Sequence, residues 1–323
     1  MSPVSKGYVH SDKRVCSQCQ KWRRDSVLYL SSFITIYVCV IAAVLGACMG
    51  SFLNCAAWRI VHGESVLKGR SHCDVCGHVL GIKDLFPVVS FLAHKGRCPY
   101  CKAKLSWGHV ILELISAVVF VAVTLKFDIT LDLLQYLLFA CIMLVCSFAD
   151  IEGYIIPNRF IIAGAVIRII FILISGEIVK NLIAAAIGGV AIPLVLLVIV
   201  LIYEKIRGKE AMGGGDIKLL FVTGLFLSSV SGGLNIGWMG NILTLFFACI
   251  IGIIFAFVMP RREMPEAEAT ESVESKDSES EAGSGSEAAD FSKPFPWGPS
   301  IAIAAFIVLM VGEPLINWYT GLF

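Results

Sequence analysis

The chain has 323 residues, 57% of them hydrophobic and 16% charged, with a mean hydropathy of +0.81 and a formal net charge of +1. That is too apolar for a soluble domain of this length, so the composition points to a polytopic membrane protein. The near-zero net charge, and the lack of any basic stretch interleaved with aromatics, set nucleic-acid binding aside.

Crossing about 30 Å of hydrocarbon takes roughly 20 apolar residues in a helix. In chain order such runs lie near 28–54, 109–126, 131–149, 160–175, 182–203, 217–234, 237–259 and 299–318. Backbone facing lipid must satisfy its own hydrogen bonds, and no strand-like alternation suggests a barrel. The predicted fold class is therefore all-α, about eight transmembrane helices lying among membrane lipids, with one stapled loop domain. The first run is too long and too far from Met1 for a cleaved signal peptide, and is read as an anchor.

Three segments break the apolar pattern. The first is a tail, 1–27, ahead of the first transmembrane helix at 28–56. The second is a polar loop, 57–107, with eight Lys/Arg and four cysteines. The third, 261–294, lies within the membrane domain 108–323; it is acidic, rich in Ser, Ala and Gly, lacks aromatics over most of its length, and is expected to be a disordered loop. If 57–107 is cytoplasmic, then 150–159, 204–216 and 260–298 share its side. With Lys218 those regions hold 17 of the 26 Lys/Arg, against only Lys126 and Lys180 in the opposite short loops. Six basic residues in the tail argue for the inverse arrangement; the count over all loops favours the cytoplasmic assignment, in a cell membrane crossed many times.

In that orientation FADIEGYIIPNRF around Asp150 and AMGGGDIKLL around Asp216 both fall at cytoplasmic helix ends. Two carboxylates in a low-dielectric site cannot both ionise easily and share a proton, so one can act as base on water while the other acts as acid. That arrangement hydrolyses peptides without a nucleophilic side chain. Gly213, Gly214 and Gly215 would let the loop backbone approach an extended substrate and take dihedrals closed to other residues, and Pro157 would stop the helix after Asp150. Each feature has a plainer account: an aspartate at a helix end is often only interfacial, and Asp216 would serve as the N-cap of its helix. Serine-protease chemistry finds no support, since no G-x-S-x-G elbow occurs and only His109 lies close to a span. Periodicity alone leaves the choice open.

Cys73, Cys76, Cys98 and Cys101 form two C-x-x-C pairs separated by 21 residues, a spacing suited to tetrahedral thiolate zinc. On a cytoplasmic loop a structural disulfide is disfavoured, and a loop of about 50 mostly polar residues needs a staple to fold. Four cysteines leave no open position for water, so the zinc is assigned to structure. Cys39, Cys48, Cys55, Cys141, Cys146 and Cys249 lie in apolar runs and read as small buried hydrophobes. Cys16 and Cys19 make a further C-x-x-C in the tail, too few ligands for a closed site.

GSFLNCAAWR at 50–59, SHCDVCGHVLGIKDLFPVVSFL at 71–92, GRCPYCKAKLSWGHVILEL at 96–114, DIEGYIIPNR at 150–159, MGGGDIKLL at 212–220 and PFPWGPSIAIAA at 294–305 stand together in one order. With them the chain resembles the type IV prepilin peptidases, bifunctional leader peptidases and N-methyltransferases of pilus, competence and type II secretion systems. The resemblance implies a membrane aspartyl protease of the G-x-G-D kind, with Asp150 and Asp216 as its catalytic pair. It implies cleavage of a short basic leader from prepilins or pseudopilins after a glycine, then methylation of the new N-terminus with S-adenosylmethionine. It matches the four loop cysteines to a zinc tetrad, associates the loop with methylation, and links Gly96 to the transferase step.

The same resemblance matches Glu113 to a family glutamate, the best candidate partner for intramembrane Arg168. Lys218 would tune Asp216 or simply snorkel, and Glu152 is a third acid that a plain exposed carboxylate explains equally well. The long tail, the acidic insert and the extra residue in PFPWGP depart from the family pattern; none touches the aspartates. Two other classes remain: an intramembrane aspartyl protease with other single-span substrates, and a non-enzymatic zinc-stapled transporter or assembly factor. The sequence carries no signal for an oligomeric state.

Overall fold

The computed structural model describes residues 32–66, 70–73, 75–81, 86–208, 212–228, 237–258 and 296–320. The tail with Cys16 and Cys19, and the acidic segment 261–294, fall outside the described residues. The described helices are α1 (Ser32–Val61), α2 (Val89–Ala93), α3 (Trp107–Phe127), α4 (Leu131–Gly153), α5 (Asn158–Ile174), α6 (Ile178–Arg207), α7 (Gly214–Leu227), α8 (Gly237–Val258) and α9 (Gly298–Thr320). Named strands are absent among the described residues; the loop between α1 and α3 holds only two isolated antiparallel bridges. This is an all-α polytopic membrane protein.

Six helices, α1, α3, α4, α6, α8 and α9, are long and apolar enough to cross a membrane. The other two expected spans are shorter: α5 has 17 residues and α7 has 14, described as far as Leu227. At about 1.5 Å per residue, α7 covers roughly 21 Å, less than the hydrocarbon thickness. Its start is fixed by the glycines that precede Asp216, and α5 starts just after buried Pro157.

Helix ends follow local chemistry. The Ser106 hydroxyl accepts the Gly108 N–H at 3.1 Å and opens α3. Gly208, left-handed at φ 64°, closes α6, whose last turn carries Lys205 and Arg207 against the negative end of the helix dipole. Pro193 is accommodated inside α6.

The chain divides into two compact units: residues 1–59, 65–145 and 163–176 form one, and 60–64, 146–162 and 177–323 the other. In the first, α1 meets α3 through Gly46 and Gly50, spaced as G-x-x-x-G. A Cβ on Gly46 would sit 2.8 Å from the Ala117 backbone, and one on Gly50 would sit 2.5 Å from the Ser116 hydroxyl. Lipid is as apolar as leucine, so contact between such helices comes from close backbone approach rather than the hydrophobic effect.

In the second unit α6, α7, α8 and α9 pack together, α7 touching all three others. Leu219, Leu220, Val222 and Phe226 of α7 have no solvent-accessible surface. A buried polar network ties the bundle: Asn241 on α8 donates to the Gly188 carbonyl of α6 at 3.0 Å and to the Leu220 carbonyl of α7 at 3.2 Å, and accepts from the Thr223 hydroxyl at 3.2 Å. Deleting one partner would strand a buried polar group, so the network fixes the register of α7 against its neighbours.

Candidate active site

The packing of the second unit places Asp150 in the last turn of α4 and Asp216 in the first turn of α7. Asp150 is 5% exposed, and its Oδ2 accepts the backbone N–H of Gly298, first residue of α9, at 2.7 Å. A helix N-terminus offers unpaired N–H groups and a partial positive charge, a natural seat for a carboxylate. Only glycine fits at that point: a Cβ on Gly298 would lie 2.9 Å from the same Asp150 oxygen. Asp216 is near enough for the Asp150 charge to act on it. The two acids therefore belong to one site.

Three details differ from expectation. The N-cap of α7 is Gly213, extended at φ −61° and ψ 128°, so Asp216 sits one turn inside the helix and does not cap it. None of Gly213, Gly214 and Gly215 has a positive φ; what they supply is space. A Cβ on Gly215 would meet Ile156 at 3.0 Å and one on Gly213 would lie 3.3 Å from Asp216 Oδ2, while Gly214 faces open space. Lys218 is exposed and donates to Asn158 Oδ1 at 3.0 Å, and Glu152 is exposed in the last turn of α4.

In the first unit the four loop cysteines converge, their sulfurs all within 4.8 Å of one another, and Cys73 and Cys101 are 3.8 Å apart. Each C-x-x-C lies on a tight turn. The Cys73 N–H donates to the His78 carbonyl and Gly77 N–H to Cys73; the Cys98 N–H donates to the Ala103 carbonyl and Lys102 N–H to Cys98. Gly77 and Lys102 take the left-handed conformation these turns need. Cys73 and Cys98 are buried, 6% and 1% exposed. Backbone N–H groups of Cys76 and Val75 draw the Cys73 thiol down to about 7. Cys101 takes an N–H from Ala103 but is pushed up to about 11 by desolvation and by Cys98, Cys76 and Cys73. The protons are thus shared unevenly over a cluster suited to binding as thiolates, and the four cysteines can hold a metal ion.

Gly96 lies in the second turn at φ 68°. Its N–H donates to the Phe91 carbonyl at 2.8 Å, and a Cβ there would meet the Phe91 ring at 2.9 Å. Gly96 thus fixes a turn and the ring beside it. Glu113 of α3 does not pair with Arg168: its Oε2 accepts the Val88 N–H at 2.8 Å, while the ionisable groups near Arg168 are Tyr136 and Asp132 of α4. Gly298 and the Val88 contact escaped sequence reasoning. For Gly298 the signal was present in W-G-P opening the last helix, with Pro at an early helical position; the partner of Glu113 is 25 residues away and left no mark in the sequence.

Fold and site together define a polytopic helical membrane protein with a shared aspartate site at helix ends and a four-cysteine loop able to bind metal. Residues 44–127 match the model of the bacterial peptidase A24 N-terminal domain, and residues 137–257 match that of the type IV leader peptidase family. The chain belongs to the type IV leader peptidase family, a family of proteases. Among its relatives is a prepilin leader peptidase/N-methyltransferase of Myxococcus xanthus, 30% identical over 218 residues; the match covers 67% of this chain and 61% of that protein's length. A protein of the same name from Bacillus subtilis is 28% identical over 278 residues, 85% of this chain and 95% of the relative. One from Aeromonas salmonicida is 28% identical over 257 residues, 79% and 76% of the two chains. No solved structure matches the chain.

Proposed function

We propose that this enzyme removes the short basic leader of type IV prepilins or pseudopilins after a glycine, at the cytoplasmic face of the cell membrane, and N-methylates the new N-terminus. The observation that carries the reading is the meeting of Asp150 and Asp216 in one site, on helix ends where the cut point of a transmembrane substrate would lie. The N–H of Gly298 on Asp150 Oδ2 stabilises a negative oxygen there, which suits Asp150 to the base. Asp216, with no side-chain hydrogen bond among the described residues, is suited to carry the shared proton.

Asp150 takes a proton from the attacking water as its oxygen bonds to the scissile carbonyl carbon, and Asp216 protonates the carbonyl oxygen. Collapse breaks the C–N bond as one hydroxyl of the tetrahedral intermediate returns its proton to Asp216 and Asp150 gives its proton to the departing amine; the leader's new carboxylic acid then loses its proton to solvent. Open space beside Gly214 admits the extended substrate backbone.

Loop 57–107 serves methylation, for which S-adenosylmethionine supplies the methyl group. Zinc fits the four cysteines: zinc–sulfur bonds of about 2.3 Å at tetrahedral angles put sulfurs about 3.8 Å apart, the separation of Cys73 and Cys101. A closed thiolate set makes that zinc structural.

The test is cleavage of a prepilin by the purified protein in liposomes. Wild type cuts after the leader glycine, and Asp150→Asn or Asp216→Asn, folded and near-isosteric, lowers kcat by about 10²–10⁴-fold or more. A folded variant cutting at close to the wild-type rate would exclude the shared-acid mechanism.

A further inference from the structure

The first unit contains a cavity of about 250 Å³ between α1, α3 and the cysteine turns. Its volume is just under the usual range for small-molecule sites, about 300–1,000 Å³. The aspartate mechanism makes no use of it. Its lining combines aromatic faces, from Trp58 and Phe91, with two buried side chains of opposite charge, Arg59 and Glu113, 7% and 8% exposed.

These two charges do not neutralise each other. Glu113 is held by a single N–H, from Val88, whose φ of 60° is costly for a β-branched residue and is maintained by that bond. Arg59 uses only Nη1, in long contacts to the carbonyls of Ser65 at 3.5 Å and Val66 at 3.3 Å. Among the described residues no ion pair joins Arg59 to Glu113, and the other guanidinium N–H groups have no partner. Burying both signs unpaired is expensive. A cavity with this pattern is complementary to a ligand that carries both charges on an aromatic body. A polar edge completes it: Asn54 donates to His109 Nδ1 at 2.7 Å, which leaves the His109 Nε2 protonated and free to donate.

We propose that this cavity binds the methyl donor, with the positive sulfonium of S-adenosylmethionine toward Glu113, its carboxylate toward Arg59, and its purine against Phe91 and Trp58. The assignment rests on the methyl-transfer reading above. An N-terminus freed from a transmembrane substrate arrives on a long helix, so a detached small molecule suits a cavity of this volume better.

The experiment is equilibrium binding to the full-length protein in lipid nanodiscs, using S-adenosylmethionine and its neutral thioether product S-adenosylhomocysteine as probes. Glu113→Gln keeps the acceptor for Val88 and removes only the charge. It weakens the sulfonium probe by at least about tenfold and the thioether by less than about threefold. Arg59→Met weakens both about tenfold, since both carry the carboxylate. Ser51→Phe, which fills the cavity without altering either charge, weakens both as well. Metal content and a thermal melt verify that each variant is folded. If wild type methylates while all three folded variants bind both probes normally, the donor sits elsewhere and the assignment is overturned. A wild type that neither binds the probes nor methylates would remove the methyl-transfer reading itself, and the assignment with it.

Discussion

The aspartate site and the cysteine loop hold their geometry in opposite ways. Asp150 and Asp216 stand on helix ends fixed by a packed bundle, with α7 buried among α6, α8 and α9 and pinned by Asn241. The loop around Cys73 and Cys98 has little apolar core of its own, two isolated bridges and four converging sulfurs. One site is preorganised by helix packing, whereas the other, on the zinc reading proposed above, takes its shape from a metal. Disturbances of the two should therefore be separable.

The largest separation comes from the metal. Chelation, or Cys98→Ser, removes a ligand set of the kind worth about 10–16 kcal/mol in small metal-folded peptides. Limited proteolysis should then open the segment from residue 70 to 105, and methylation should disappear, while cleavage by the aspartates persists within a few-fold. Acid has the same effect on the loop, because the cysteines bind as thiolates. Loss of cleavage in step with the metal would show that the two sites share one support.

Gly298→Ala strikes the other side. The new Cβ lies 2.9 Å from Asp150 Oδ2 and forces that carboxylate to move. A displacement of this size is expected to lower kcat/KM for cleavage by about 10–100-fold, with metal content unchanged. Gly96→Ala is milder: a left-handed alanine costs about 1–2 kcal/mol and its Cβ displaces the Phe91 ring. Methylation should fall and cleavage should hold, measured on one substrate by mass spectrometry. Smallest is Lys218→Met, which removes only an exposed hydrogen bond to Asn158 and should change cleavage by less than about twofold.

The sequence revealed what is written in short windows. Apolar runs placed α3 and α4 within a few residues of their observed limits, and the two C-x-x-C pairs announced a cluster that the fold assembles. The run at 160–175 also lies within two residues of α5, whereas the run at 217–234 begins three residues inside α7, because the helix opens on glycines that hydropathy does not count as apolar. Long-range contacts were not legible. Gly298 reaches Asp150 across 148 positions, Asn241 reaches Gly188 across 53, and the cavity charges Arg59 and Glu113 lie on different helices. The glycines before Asp216 were noticed, but for backbone freedom; only their neighbours reveal that their use is space.

The most direct test of the central claim, that Asp150 and Asp216 cut and do nothing else, offers folded Asp150→Asn and Asp216→Asn proteins two substrates. One is a full prepilin and the other is the same pilin made without its leader; mass spectrometry follows leader loss and methyl gain. The prepilin should remain uncut while the leader-free pilin is methylated at the wild-type rate. Cutting by either variant at close to the wild-type rate, or loss of methylation with metal content intact, would contradict the account.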